Sequence, residues 1–239
     1  MTSENSSVNG NSGGSHAAAV FEDDGQFARH RAAILDLLAM CFVKEPGEDL
    51  IQAFRETEFR KTLEDAGLEL GNEFFTEEIQ TLQEKLAVEF TNLFLLPGSL
   101  ISPHESVQIK GGSGLLRGPE AASVGEYYEY VGFELKKDLY LEPDHIGIEL
   151  EFLSHLASIE YKAREENNYQ QLLDSLRFQE DFLNRHLCRW VFDFMNKIQE
   201  RTSTIFYREV ARMTAAFLDD LQNLLPQLIS RIDNEKGLS

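Results

Sequence analysis

Apolar residues recurring at steps of three and four are the feature that most constrains this chain. Between 79 and 94 they fall at Ile79, Leu82, Leu86, Phe90, Leu93 and Phe94, the spacing that lines one face of a helix. The same step marks Phe27, Ile34, Leu37, Leu38 and Cys41, then Leu50, Ile51, Phe54, Phe59 and Leu63. It returns at Ile146, Leu150, Leu153, Ala157 and Tyr161, and at Leu183, Leu187, Trp190, Val191, Phe194 and Ile198. No segment alternates apolar and polar residues with β-branched enrichment, and no internal repeat is found. The expected fold class is all-α, a bundle or orthogonal array of roughly ten helices.

Punctuation divides these stripes. Lys44-Glu45-Pro46-Gly47 ends the first. Residues 48–66 suit two short helices, followed by Gly67 and Gly71. Thr76 reads as an N-cap with Glu77 and Glu78 in the first turn, where the helix dipole favours acids. Pro97-Gly98 ends that helix, and 97–120 reads as a long irregular stretch, a type of segment that often carries function. A helix is expected over Glu120–Val131, a connector over Gly132–Leu141, and a helix start at Glu142-Pro143-Asp144. Tyr169–Leu176 reads as a short helix, and the last helix as Tyr207–Leu225, closed at or just past Pro226. Residues 1–22, rich in Ser, Asn and Gly, read as a disordered tail. The division expected is therefore a tail over 1–22, an N-terminal helical part over 23–141 and a C-terminal helical part over 142–239.

Charge narrows the partners. The 239 residues carry 22 Lys+Arg against 41 Asp+Glu, a formal net charge of −19. Such a chain repels phosphate backbones and anionic membrane surfaces. No nucleic-acid partner is expected, and a cationic one is favoured. No apolar run is long enough to span a membrane, and the N-terminus lacks the basic and apolar regions of a secretory signal. Cys41 and Cys188 form no C-x-x-C pair and read as buried thiols of a reducing compartment. Localisation is expected to be cytoplasmic.

Single motifs say little by themselves. Gly111-Gly112-Ser113-Gly114 lacks the G-K-[ST] ending of a phosphate-binding loop, and no strand precedes it. His104, His145, His155 and Glu151 are possible metal ligands, but neither H-E-x-x-H nor a repeated Glu-x-x-His occurs. Ser106 near His104 lacks the strand–elbow–helix setting of a nucleophile. Asp144 alone reads as an N-cap, and Phe90, Leu93 and Phe94 read as core.

Taken in order, the pieces say more. The chain carries Leu93-Phe94-Leu95-Leu96-Pro97-Gly98, then Ser102-Pro103-His104-Glu105-Ser106-Val107, then Glu142-Pro143-Asp144-His145-Ile146-Gly147-Ile148-Glu149-Leu150-Glu151-Phe152-Leu153. Phe182-Leu183-Asn184-Arg185-His186-Leu187 with Trp190, Phe206-Tyr207 and Phe217-Leu218 follow. This series resembles the TorD/DmsD-type family of cytoplasmic chaperones that mature molybdenum-containing redox enzymes, over roughly Phe27–Leu225. His104 stands where relatives often have Trp, and Gln108 where Tyr is frequent.

The resemblance implies two helical parts joined near a Pro-Asp-His hinge. It implies no catalysis and no cofactor. The partners it implies are the twin-arginine leader and the apo catalytic subunit of a molybdopterin oxidoreductase. The chaperone would hold that subunit competent for cofactor insertion and delay its export, as a monomer or a domain-swapped dimer. The leader-binding surface carried over comprises Phe90, Leu93, Phe94, Pro103, His104, Glu105, Ser106, Asp144 and His145. On this reading Phe90, Leu93 and Phe94 take the apolar part of the leader. Glu105 and Asp144 accept hydrogen bonds from its arginines, and His145 titrates near neutrality. Two other readings stand beside it: an all-α metal-dependent enzyme using His104, His145, His155 and Glu151, and a general acidic adaptor without leader specificity.

Overall fold

Helices account for nearly all regular structure in the computed structural model, which describes residues 13–57, 60–61, 64, 68–98, 100–111, 114–135 and 141–237. Helix α1 (Gly13–Val43) is followed by α2 (Glu48–Arg55), α3 (Gly71–Thr76) and α4 (Ile79–Phe90), which runs into a π-turn at Thr91–Leu95. Next come the one-turn α5 (Glu105–Gln108) and α6 (Pro119–Val131). The remaining elements are α7 (Ile146–Glu165), α8 (Tyr169–Arg185), a 3₁₀ turn at Leu187–Arg189, α9 (Val191–Arg201) and α10 (Ile205–Gly237). The all-α expectation holds, and among the described residues the one β-type pairing is an isolated antiparallel bridge between His104 and His145.

The stripes pack as the spacing requires. Helix α1 lies along α7, α7 along α8, and α10 against α8 and α9. Ile146, Leu150, Leu153 and Ala157 of α7 are each fully buried. Gly147 sets how closely α1 approaches: a Cβ there would stand 2.5 Å from Val43 Cγ2 and 3.2 Å from the Ala39 carbonyl oxygen. Phe94 centres an aromatic cluster, with ring centroids 5.1 Å from Phe90, 5.9 Å from Tyr207 and 6.2 Å from Phe42.

Several boundaries differ from the sequence expectation. Helix α1 starts at Gly13, so part of the expected tail, 13–22, belongs to it; residues 1–12 lie outside the described ones, as do Phe59 and Leu63. Phe27 is exposed despite its place in the stripe. Thr76 closes α3 rather than capping α4; the cap is Glu78, whose carboxylate accepts from the Thr81 amide at 2.8 Å. Helix α8 runs unbroken from Tyr169 to Arg185, and the break falls at His186, outside helical geometry at φ −120°, ψ −87°. Helix α10 passes through Pro226. A proline removes one backbone hydrogen bond and crowds the carbonyl four residues earlier; here the apolar contacts of buried Leu225, Leu228 and Ile232 hold the helix together.

Candidate functional site

The site begins where α4 ends. The π-turn at Thr91–Leu95 turns Leu93 and Phe94 into the core and leaves Leu95 and Leu96 exposed. One-turn π insertions of this kind are frequent at functional positions. The amide of Ile101 donates to the Leu93 carbonyl at 2.8 Å and folds the following loop back over the turn.

That loop is clipped to the start of α7. Ile146 N donates to Pro103 O at 2.8 Å, and Glu105 N donates to Asp144 O at 2.9 Å. These two bonds join motifs about 40 residues apart in sequence and set the His104 and His145 rings edge to face, 5.1 Å between centroids. The His145 imidazole caps α7, its Nδ1 accepting from the Gly147 amide at 3.1 Å. Asp144 is not that cap. Its carboxylate reaches across the clip and accepts from Ser106 N at 2.9 Å, inside the first turn of α5.

Above the clip lies a cavity of about 680 Å³. Phe42, Phe90 and Phe94 form its floor, and Pro103, His104 and His145 one wall. Leu95, Leu100 and Leu116 are exposed at its rim. Large exposed aliphatic side chains grouped around a concavity mark an interaction surface rather than a solvated one. Burial holds both histidines below the ordinary range, His145 down to about 3, with Asp144 and Glu142 partly opposing the effect at His104. Both rings are therefore neutral at pH 7, and the expectation that His145 titrates near neutrality is corrected.

Behind the clip is a buried acidic cluster. Glu105, Asp144 and Glu149 are each fully enclosed. Glu105 Oε2 lies 2.8 Å from His186 Nδ1, and its other oxygen is 3.9 Å from the half-exposed Arg189 guanidinium. Glu105 Oε1, Asp144 Oδ1 and both Glu149 carboxyl oxygens have no hydrogen-bond partner among the described residues. Burial, then the negative charges of Glu105 and Asp144, push the Glu149 carboxyl well above the carboxylate range. The Trp190 indole opposes this weakly, without a hydrogen bond of regular geometry. Burial thus favours the neutral acid form of Glu149.

The sequence-derived set splits between these two layers. Phe90, Phe94, Pro103, His104 and His145 line the cavity. Leu93 is core, and Glu105, Ser106 and Asp144 lie in the buried layer beneath it, where the Asp144 carboxylate bridges the clip to Ser106 and the Glu105 carboxylate pairs with His186. Sequence reasoning missed the rim leucines, Glu45 on the cavity wall, and Glu149. Leu95, Leu96, Leu100, Leu115 and Leu116 flanking a Gly/Pro-rich stretch were the available signal for the rim.

The metal-ligand alternative does not converge. His155 lies ten residues beyond His145 on α7, roughly 15 Å along the axis at 1.5 Å per residue, and packs on Phe133 with centroids 5.4 Å apart. No group of three or more His, Cys, Asp or Glu is placed to hold a metal among the described residues. Cys41 is buried and Cys188 partly so; neither is in a disulfide, and burial raises both thiols, Cys188 to about 12. No helix among the described residues is long and apolar enough to cross a membrane.

Comparison with known proteins adds four findings. Residues 48–196 match the family described as nitrate reductase delta subunit. The chaperone protein TorD of Vibrio cholerae serotype O1 is 29% identical over 210 residues, covering 83% of this chain and 93% of that protein. The chlorate reductase assembly chaperone of Ideonella dechloratans is 31% identical over 127 residues, 51% of this chain and 62% of that one. Among solved structures, one described as a redox enzyme maturation protein from Archaeoglobus fulgidus is 22% identical over 80% of this chain and 93% of the other, at a TM-score of 0.47.

Proposed function

The chain belongs to the nitrate reductase delta subunit family, and on that premise we propose that it is a cytoplasmic assembly chaperone for a molybdopterin oxidoreductase. It performs no catalysis. It binds the twin-arginine leader of the apo catalytic subunit, keeps that subunit open for cofactor insertion and delays its export. The relatives' names, TorD chaperone and chlorate reductase assembly chaperone, support the class of client.

The observation that carries leader binding is the apolar cavity over the His104–His145 clip. A twin-arginine leader has a basic segment followed by about 7–15 apolar residues. A short apolar helix or extended stretch fits between the Phe42/Phe90/Phe94 floor and the leucine rim, much as an amphipathic helix fits a groove. Two neutral imidazoles on the wall supply hydrogen bonding without the cost of burying a charge.

The test is titration calorimetry of the purified protein with a synthetic leader peptide bearing Arg-Arg and with its Lys-Lys counterpart. Saturable binding of the Arg-Arg peptide, weakened in the Lys-Lys form, is expected because Arg presents a bidentate donor fork that Lys lacks. Equal affinity for both would point to a general acidic adaptor. No binding of either would overturn the leader reading.

A further inference from the structure

A second groove, about 570 Å³, adjoins the apolar cavity and shares Val43, Lys44 and Glu45 with it. The two concavities are thus the two ends of one continuous surface at the C-terminus of α1. Their chemistry differs. The first end offers the Phe42/Phe90/Phe94 floor and exposed leucines. The second adds Asp36, Asp49 and Glu151 to the shared Glu45, with Lys44 as its one basic side chain. Met40 and Leu50 give this end an apolar base.

We propose that this surface reads a leader by polarity: its apolar stretch occupies the phenylalanine cavity and its arginine pair the adjoining carboxylate groove, with Glu45 at the junction. The proposal rests on the leader-binding reading and adds where the arginines go and which way the peptide runs. The argument is charge complementarity together with geometry. Glu105 and Asp144 are sealed behind the clip and already occupied by His186 and by the Ser106 amide. Both are fully buried, so an incoming guanidinium meets the exposed carboxylates outside the clip first. Glu45 and Asp49 are exposed carboxylates next to the apolar cavity. A cation arriving there meets the exposed carboxylates of Glu45 and Asp49 at the edge of a low-dielectric surface, where pairing is stronger than in open water. An arginine fork can bridge two such carboxylates. An apolar segment following the pair then continues into the phenylalanine cavity, which shares Val43, Lys44 and Glu45 with the groove.

The experiment compares the wild type with the double variant Glu45→Gln/Asp49→Asn. The probes are two synthetic peptides: an Arg-Arg pair followed by about 15 apolar residues, and the same sequence with Gln-Gln. Both substituted positions are exposed, so the melting temperature should be retained. The expected result is that the double variant loses about tenfold affinity for the Arg-Arg peptide, the equivalent of about 1.4 kcal/mol. It should bind the Gln-Gln peptide like the wild type, and its affinity should depend less on salt. Unchanged affinity for the Arg-Arg peptide would overturn the proposal while leaving the leader reading intact. Equal losses for both peptides would also overturn it, since the carboxylates would then act without regard to arginine. Failure of the wild type to bind the Arg-Arg peptide would overturn both readings.

Discussion

Two buried carboxylate sites lie at opposite ends of helix α7 and are built on opposite principles. Near its C-terminal end, Glu160 is fully enclosed and surrounded by donors. Arg31 of α1 approaches one oxygen at 2.5 Å, Gln179 of α8 donates to it at 2.9 Å, and Arg164 grips the other at 2.9 Å and 3.1 Å. Near the N-terminal end, Glu105, Asp144 and Glu149 are equally buried, yet four of their six oxygens have no hydrogen-bond partner among the described residues. A buried ion pair that is well satisfied fixes the relation of the elements it joins. Here it joins α1, α7 and α8. A cluster left short of donors violates the same rule, and such violations concentrate where function needs them. The carboxylates short of donors lie directly beneath the cavity wall; the Glu160 carboxylate, whose two oxygens are both paired although Arg31 Nε and Gln179 Oε1 beside it have no partner among the described residues, is far along the helix. The contrast separates scaffold from site on one continuous element.

The comparison breaks most visibly at Glu160. Glu160→Gln leaves two buried guanidinium groups facing a neutral amide. Breaking a buried pair of this kind costs roughly 3–5 kcal/mol, about 6–20 °C in melting temperature for a chain of this size. Calorimetric or circular-dichroism melting checks it, and a loss under about 1 kcal/mol would show that the Glu160 cluster does little to hold the helices together.

A smaller effect is expected where α1 meets the other end of α7. Gly147→Ala pushes a methyl to 2.5 Å from Val43 Cγ2, and overpacking of this sort costs about 1–3 kcal/mol. Trimming the neighbour in the double variant Val43→Ala/Gly147→Ala should recover part of the loss. Additive losses in the double variant would place the strain elsewhere.

Glu149→Gln sharpens the comparison with a change in sign. In the folded chain, burial and two neighbouring carboxylates raise the pKa of Glu149. The unfolded chain releases that proton above about pH 4.3. The folded state therefore binds more protons, and this group lowers stability as pH rises from there towards its folded pKa. Gln mimics the neutral acid and does not titrate. The variant should match the wild type near pH 4 and gain on it progressively as pH rises from there. Chemical denaturation at several pH values measures both. A wild-type-like pH profile for Glu149→Gln would mean that Glu149 is ionised in the fold.

The sequence showed some of this and could not show the rest, for physical reasons. The stripe from Ile79 to Phe94 is a local, periodic signal, and it reappears as α4 and its π-turn. Caps are harder. Asp144 and His145 stand side by side before α7, and only backbone geometry decides which of them caps it. The structure gives the cap to His145 because the Asp144 carboxylate is committed to an amide 38 residues earlier. That commitment is non-local and leaves no trace in spacing. The Glu160–Arg164 pair looks like an ordinary surface i,i+4 contact until Arg31 arrives from α1 and buries it. Five of the nine residues carried over by family resemblance line the cavity, and four lie under it. Motif matching finds residues tied to a site without distinguishing those that face a ligand from those that hold the wall. The rim leucines escaped because exposed leucines in a loop are indistinguishable in sequence from those that fold inward.

The claim that the cavity over the His104–His145 clip receives the leader is tested most directly by substitutions on its rim. Leu100 and Leu116 are 49% and 55% exposed, so Leu100→Ser/Leu116→Ser should leave the melting temperature within about 2 °C, as expected for surface changes. Titration of this double variant with an Arg-Arg leader peptide should show at least a tenfold loss of affinity, reflecting two leucines whose burial on binding is removed. Wild-type affinity in a folded variant would contradict the account and move the binding surface elsewhere on the molecule.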